Sequence, residues 1–353
     1  MIADVEFDQI DPLTRYAAAA LSFRPGRAEW WVTYQMHPLL EARRRRVLQR
    51  GLRAVCSNLE GLIMWGSWFH PRLSQLGRQI PFVNYIDQSM ALEPVLGEPK
   101  DGYTNRRVAH RQQAATYRDA AAVLCMSQWA REQTLLAHPT IPKHKVQVAG
   151  WGPCGVDLSS ESISWAEREP LILHVSNDFH RKGLDFLAQT AYVVRQSIPK
   201  ARFVVIGADY GGMKNPPRAD GVEFTGRISD RAVLASYFRR ASAFFLPHRF
   251  DRSPHVLVEA MSAGLPLVAS AQGGALELIE GKETGFAVPI GNIDGYADAL
   301  TTLLTSPQLA ADMGARGRSL MLRSYTWKAV ATKILDVLTR SATAPSALAR
   351  QSA

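Results

Sequence analysis

Cysteine is scarce in this chain: Cys56, Cys125 and Cys154 are the three among 353 residues. Their spacing matches no zinc-ligand pattern. So few thiols exclude a disulfide scaffold and predict a reducing, cytoplasmic setting. Long apolar runs are missing as well, and nothing approaches the roughly 20 residues that a membrane-spanning helix needs. The opening MIADVEFDQIDP is acidic and lacks the basic and apolar regions of a secretory leader. Lysine is sparse at nine residues, so 32 of the 41 basic residues are arginine. Against 32 acids the net charge is +9, a balance that favours anionic partners such as phosphorylated substrates, lipid headgroups or nucleic acid. Nucleic acid is the weakest of these, because zinc-finger spacing, an RNA-recognition motif and a basic heptad pattern are all absent; none is expected as a partner.

What the chain does have is alternation. From residue 170 onward, PLILHVS (170–176), ARFVVIGA (201–208), VEFTG (222–226), AFFLP (243–247), LPLVAS (265–270) and GFAVP (285–289) read as short buried strands. Helix-period stretches separate several of them: GLDFLAQTAYVVRQSI (183–198), DRAVLASYFRRA (230–241) and NIDGYADALTTLLTS (292–306). Strands spaced by helices in this way predict a parallel, doubly wound α/β sheet. The first half shows the same pattern more loosely, with strands expected in LEGLIMWGS (59–67), IPFVNYID (80–87), AAVLCMS (121–127) and HKVQVAG (144–150). HPLLEARRRRVLQRGLRAV (37–55) and TNRRVAHRQQAATYRDA (104–120) are the helices between them. GWGPCGVDLSSESISWAEREP is turn-rich and marks the connection. The expected domains are 1–157, 158–330, and a C-terminal helix with a disordered tail over 331–353.

The stretch HRFDRSPHVLVEAMSAGLPLVAS (248–270) holds the densest local signals. Ser253 suits a helix N-cap and Pro254 the first helical position. Gly264 suits the left-handed residue that ends a helix, and Pro266 prevents continuation. Asp251 stands in the loop before this helix and Glu259 within it. A helix N-terminus presents unpaired amides and a positive dipole end, a natural place for phosphate.

These residues carry a resemblance. HVSNDFHRKGLDFL, VEFTGRISDRAVLASYFRRASAFFLPHRF and DRSPHVLVEAMSAGLPLVASAQGGALELIEGKETGFAVP resemble, in order, the motifs of the retaining glycosyltransferases of family 4, the group 1 glycosyltransferases. GLIMWGSWFHP, AAVLCMSQWAREQTL and VAGWGPCGVD occupy corresponding places in the first half. The resemblance implies the GT-B fold, two Rossmann-like doubly wound parallel-sheet domains facing across a cleft. It implies a nucleotide-diphosphate sugar as donor, held mainly by residues 170–330, and a glycan, lipid or small-molecule acceptor on the first half. No cofactor and no metal are implied. Glu259 is carried over as the ribose ligand; a carboxylate accepts two hydrogen bonds from a vicinal diol. Asp251 falls near the transferred sugar. The helix start at Pro254, with the amides of His255, Val256 and Leu257, receives the diphosphate. Lys182, assisted by Arg181, neutralises the leaving diphosphate as the glycosidic bond breaks. Gly226, Arg227 and Ile228 correspond to a turn that contacts the base through its backbone.

The chain departs from the family at several places. Asp251 replaces the usual Glu. Where an arginine is usual before the phosphate lysine, this chain has Ser176 and Asn177, with Arg181 or Arg227 as substitutes. Where a histidine follows a strand of the first domain, it has Ile86 followed by Asp87, and Asp87 joins the catalytic set; His70 is the other group able to enter that region. ADVEFDQID resembles a second strand more than a first, so an upstream strand with a glycine-bearing loop is expected. These departures support an alternative: a catalytically impaired GT-B partner subunit that binds nucleotide sugar without turnover. A nucleotide-sugar epimerase of the same fold is disfavoured by the paired acids. Six of the eight tryptophans lie in the first 151 residues, and Trp68 is the best placed to stack on an acceptor sugar. Arg43, Arg46, Arg50 and Arg53 share one helix face and suit peripheral contact with an anionic membrane, or simply solvent.

Overall fold

A computed structural model describes residues 38–55, 57, 59–66, 71–73, 80–88, 106–161, 163–207 and 220–343. ADVEFDQID, Trp30, Trp31, Cys56, Trp68, His70 and the tail from 344 lie outside the described residues. The chain divides into two compact units. One comprises 1–126, 130–149 and 332–353; the other comprises 127–129 and 150–331.

In the first unit the order is α1 (Pro38–Val55), β1 (Leu62–Trp65), β2 (Phe82–Ile86), α2 (Arg106–Asp119), β3 (Ala122–Cys125), α3 (Gln128–Ala137, whose start belongs to the other unit) and β4 (Val146–Val148). The four strands are parallel in the sequential order β1-β2-β3-β4. Leu40, Leu48 and Leu52 recur on the buried stripe of α1, and Leu48 and Leu52 pack with Met64 and Phe82 of the sheet. Arg44 falls on the same buried stripe, whereas Arg46, Arg50 and Arg53 are exposed and Arg43 is half-buried. Trp151, one of the tryptophans weighed for sugar stacking, is fully buried in the second unit. Trp65 is 61% exposed and lies edge-on to Tyr85.

The second unit runs β5 (Leu171–Val175), α4 (Leu184–Ser197), β6 (Arg202–Ile206), β7 (Val222–Gly226), α5 (Arg231–Arg240), β8 (Ala243–Leu246), α6 (His255–Ser262), β9 (Leu267–Ser270), α7 (Gly274–Ile279), β10 (Gly285–Val288), α8 (Ile293–Thr305), α9 (Pro307–Ser324) and α10 (Trp327–Thr343). Residues 332–343 of α10 return to the first unit, where Leu338 stands 3.2 Å from the position a Cβ on Gly61 would take. The six strands are parallel in the order β10-β9-β8-β5-β6-β7. Chain order therefore reverses between β5 and β8, and ligands of such sheets bind beyond the carboxyl ends at that reversal.

Helices cover the sheet because their apolar residues recur at helical spacing. Leu184, Leu187, Ala191 and Val194 of α4 and Tyr296 and Leu300 of α8 meet Ile172, Phe203, Phe245 and Val268 in one core. Each large apolar side chain so buried contributes roughly 1.5–3 kcal/mol. The architecture is the doubly wound α/β arrangement that the alternation predicts, and each strand read between residues 59 and 289 has its counterpart.

Candidate functional site

The site is built at the reversal between β5 and β8. The loop after β5 carries Lys182 and the loop after β8 carries Asp251. Gly183 brings the two together: its φ is +71°, and an added Cβ would stand 1.9 Å from the Pro247 carbonyl oxygen. Only glycine tolerates both the left-handed backbone and that approach. Lys182 Nζ donates to Asp251 Oδ2, and both residues are 9% exposed. Burial works against the charged carboxylate, but Lys182, with His248 and Arg181, outweighs it and holds the Asp251 pKa below the usual range.

Asp251 is backed by a second glycine turn. Gly273 has φ +61°, and its Cβ would fall 1.9 Å from the Asp251 carbonyl oxygen. A Cβ on Gly274 would likewise fall 2.4 Å from the Arg252 carbonyl oxygen. This packing corrects the expected cap: Pro254, at φ −71° and ψ 92°, is the N-cap position, and α6 begins at His255. Ser253 stays outside the helix with a buried hydroxyl that has no hydrogen-bond partner. The Leu257 amide donates to the Pro254 carbonyl at 3.0 Å. The amides of His255 and Val256 are among the donors that any helix start leaves without an intrahelical acceptor. Gly264 closes α6 at φ +65°, with the Leu265 amide reaching the Ala260 carbonyl at 3.0 Å, as its sequence position predicts.

Glu259, 6% exposed, lies within α6, which follows the Asp251 loop. Its Oε1 accepts from the Gly155 amide at 2.7 Å and the Cys154 amide at 3.1 Å. Burial raises its pKa, and these amides partly offset that rise. A carboxylate offers about four acceptor positions, so two amides do not exhaust it. His255 Nδ1 contacts the Gly152 carbonyl at 2.7 Å and ties the same loop to the start of α6.

The other expected residues take varied places. Arg181 is half-exposed, and its Nε donates to Asp178 Oδ2 at 2.8 Å, so its charge is already partnered. Gly226 (φ +67°) ends the edge strand β7; Arg227 is exposed and Ile228 half-buried just before Asp230, whose carboxylate caps α5. Asp87 stands exposed in the first unit, at the carboxyl end of β2. Ile86 is buried and offers no polar group, while Asn177 is exposed. Sequence reasoning assigned no role to the Cys154 and Gly155 amides, nor to His174 and His248, which are wholly buried near Lys182. A histidine inside the apolar run LILHV was the available signal. Among the described residues no group of three or more His, Cys, Asp or Glu is placed to hold a metal. No described helix is long and apolar enough to cross a membrane.

The chain is similar to several known proteins. The sequence profile of the family described as glycosyl transferases group 1 matches residues 156–320. An uncharacterized glycosyltransferase of Haemophilus influenzae is 32% identical over 161 residues, 44% of this chain and 44% of that protein. A GDP-mannose-dependent alpha-(1-6)-phosphatidylinositol monomannoside mannosyltransferase of Mycobacterium tuberculosis is 30% identical over 184 residues, 48% of this chain and 47% of that protein. The chain thus spans about half the length of the curated relatives it matches. Among solved structures, sucrose-phosphate synthase of Thermosynechococcus elongatus aligns with a TM-score of 0.61 at 20% identity, covering 84% of this chain and 78% of that one. WaaG, a glycosyltransferase involved in lipopolysaccharide biosynthesis, aligns with a TM-score of 0.62 at 16% identity, covering 84% and 82%. These likenesses show the fold, which is GT-B.

Proposed function

We infer that this chain, whose residues 156–320 belong to the group 1 glycosyltransferases, is a retaining, metal-independent glycosyltransferase that uses a nucleotide-diphosphate sugar. The observation that carries the reading is the buried Lys182–Asp251 pair at the strand-order reversal, next to the start of α6. A lysine there meets a diphosphate whose charge grows as the glycosidic bond breaks, which stabilises the transition state more than the ground state. The amides of His255 and Val256 complete the phosphate site, Glu259 takes the ribose, and the Gly226–Ile228 turn takes the base. Asp251 lies beside the transferred sugar. Several curated relatives carry names of enzymes acting on phosphatidylinositol mannosides, which supports a glycolipid acceptor. Exposed Arg46, Arg50 and Arg53 on α1 suit the anionic surface in which such an acceptor resides.

The test is incubation with UDP-glucose, GDP-mannose and related donors plus a lipid extract, with and without EDTA. Released nucleoside diphosphate and a product of unchanged anomeric configuration are expected, with no loss to EDTA. An inverted product overturns the retaining mechanism, and loss to EDTA overturns metal independence. Buried Ile86 and exposed Asn177 favour a second reading, a partner subunit that binds sugar nucleotide without turnover. Donor binding without released diphosphate in any acceptor mixture selects it.

A further inference from the structure

Two wholly buried histidines lie close enough to Lys182 to feel its charge, and their surroundings differ in one respect. His174 Nδ1 is 2.8 Å from the Phe245 carbonyl oxygen and its Nε2 is 2.9 Å from Ser176 Oγ. A neutral ring satisfies both: Nδ1–H donates to the carbonyl, and Nε2 accepts from the serine hydroxyl. His248 Nδ1 is 3.0 Å from the Leu246 carbonyl oxygen and its Nε2 is 3.3 Å from the Gln272 carbonyl oxygen. Carbonyl oxygens only accept. A neutral ring has one N–H and leaves its other nitrogen facing lone pairs, whereas an imidazolium satisfies both carbonyls.

The charges around His248 decide which form is present. Burial disfavours the charged ring; the two carbonyls and Asp251 favour it, and Lys182 opposes it, with a lowered pKa as the outcome. Arg181 is committed to Asp178, and His174 is neutral, its pKa pulled down to about 4 mainly by burial. Lys182 is therefore the positive charge on His248 that a bound diphosphate would offset.

We propose that His248 is a positioning residue that takes up a proton from solvent when the donor diphosphate engages Lys182, and as imidazolium becomes the counter-charge that keeps Asp251 in place. The proposal rests on the reading that Lys182 binds the diphosphate. The bookkeeping is simple: the donor brings two negative charges, Lys182 turns from Asp251 to the phosphates, and one proton enters at His248 Nε2. The new N–H donates to Gln272, next to the Gly273 turn that packs against Asp251.

Titration calorimetry with UDP-glucose and GDP-mannose tests this, because their diphosphates do not titrate near neutrality. Measured in buffers of different ionisation heat, binding should take up close to one proton per donor, and the dissociation constant should rise by up to about tenfold per pH unit as pH increases. His248→Gln should abolish the uptake. Binding with buffer-independent heat, or the same uptake in His248→Gln, overturns the proposal and leaves the Lys182 reading standing. Equal affinity in Lys182→Met and wild type overturns that reading instead. Histidine-ring NMR of the ligand-free protein supplies the second measurement. At pH 7, His248 should be neutral in wild type and charged in Lys182→Met, with His174 neutral in both. A neutral His248 in Lys182→Met overturns the proposal even if neither sugar nucleotide binds.

Discussion

The two sheets use the same strand chemistry to different ends. In the six-stranded sheet the chain reverses its order between β5 and β8, and a buried ion pair, a helix start and two glycine turns converge on that reversal. The four described strands of the other sheet follow one another without reversal, and among the described residues its strand ends offer exposed Asp87 rather than a buried cluster of charges. It does bury a polar group to no visible purpose: Asn84, in the middle of β2, is fully buried with neither amide atom hydrogen-bonded. A reversal creates a recess where loops from two neighbouring strands diverge, and polar side chains gathered there have a use for their charge. Where strands simply succeed one another, a buried polar group carries a desolvation penalty without that return.

The sharpest way to break this contrast is to remove a charge from each sheet. Lys182→Ala is expected to reduce turnover by about 10²–10³-fold, the usual scale for deleting one transition-state donor. Asp87→Asn is expected to cost far less. Steady-state rates of released nucleoside diphosphate decide it, and an equal loss in both variants would place chemistry on both sheets. A thermal melt belongs beside the rates, since Lys182→Ala leaves Asp251 buried without its partner.

Glu259→Gln comes next. A charged hydrogen bond is worth roughly 1.5–3 kcal/mol, so donor affinity should fall by about ten- to a hundredfold by calorimetry. The fold should lose less, because Gln keeps an oxygen for the Cys154 and Gly155 amides. Unchanged affinity would make Glu259 a purely structural anchor for that loop.

For Asn84→Leu the expectation is the reverse of the usual core substitution: no loss, or a gain of about 1–2 kcal/mol in denaturant unfolding, because an unsatisfied buried amide is removed. A loss of several kcal/mol would show that the amide has a partner the static arrangement does not display.

The smallest effect concerns acid. His138 is buried in the first unit against Gln113 and stacked on His110, and burial pulls its pKa from 6.5 to about 4. His174 matches it in the second unit. The unfolded chain therefore binds protons that the folded chain refuses between about pH 6.5 and 4. Stability falls as pH falls through that window. His138→Gln should flatten the acid limb of a stability profile, and an unchanged limb would mean that carboxylates alone account for it.

Much of this was legible in the chain itself. Buried strands of four or five residues between turn formers announce themselves, and Gly264 with Pro266 fixes the end of α6. Two kinds of feature were not legible. α9 carries Gly314 and Gly317, residue types that weaken a helix interior; yet a Cβ on Gly314 would meet the Gly264 carbonyl oxygen at 2.0 Å, so that glycine is what lets α9 pack there. The Glu259 anchor joins residues more than a hundred positions apart, through backbone amides that leave no mark on residue type. Local periodicity sees neither.

The path of the chain through the two units bears on how the protein is made. Residues 150–331 form an almost continuous block, while the first unit is interrupted by that block and regains residues 332–343 only afterwards. On a ribosome the later-encoded unit therefore has its whole sequence before the earlier-encoded unit does, although every strand of the first sheet emerges first. Leu338, the side chain that comes to rest over Gly61, emerges after every strand of both sheets. At roughly 5–20 residues per second, the nearly two hundred residues between β4 and that helix hold the first unit open for about 10–40 seconds. Through that interval Gly61 goes without the cover of Leu338. Chaperone demand during synthesis should therefore concentrate on the half of the molecule that is translated first.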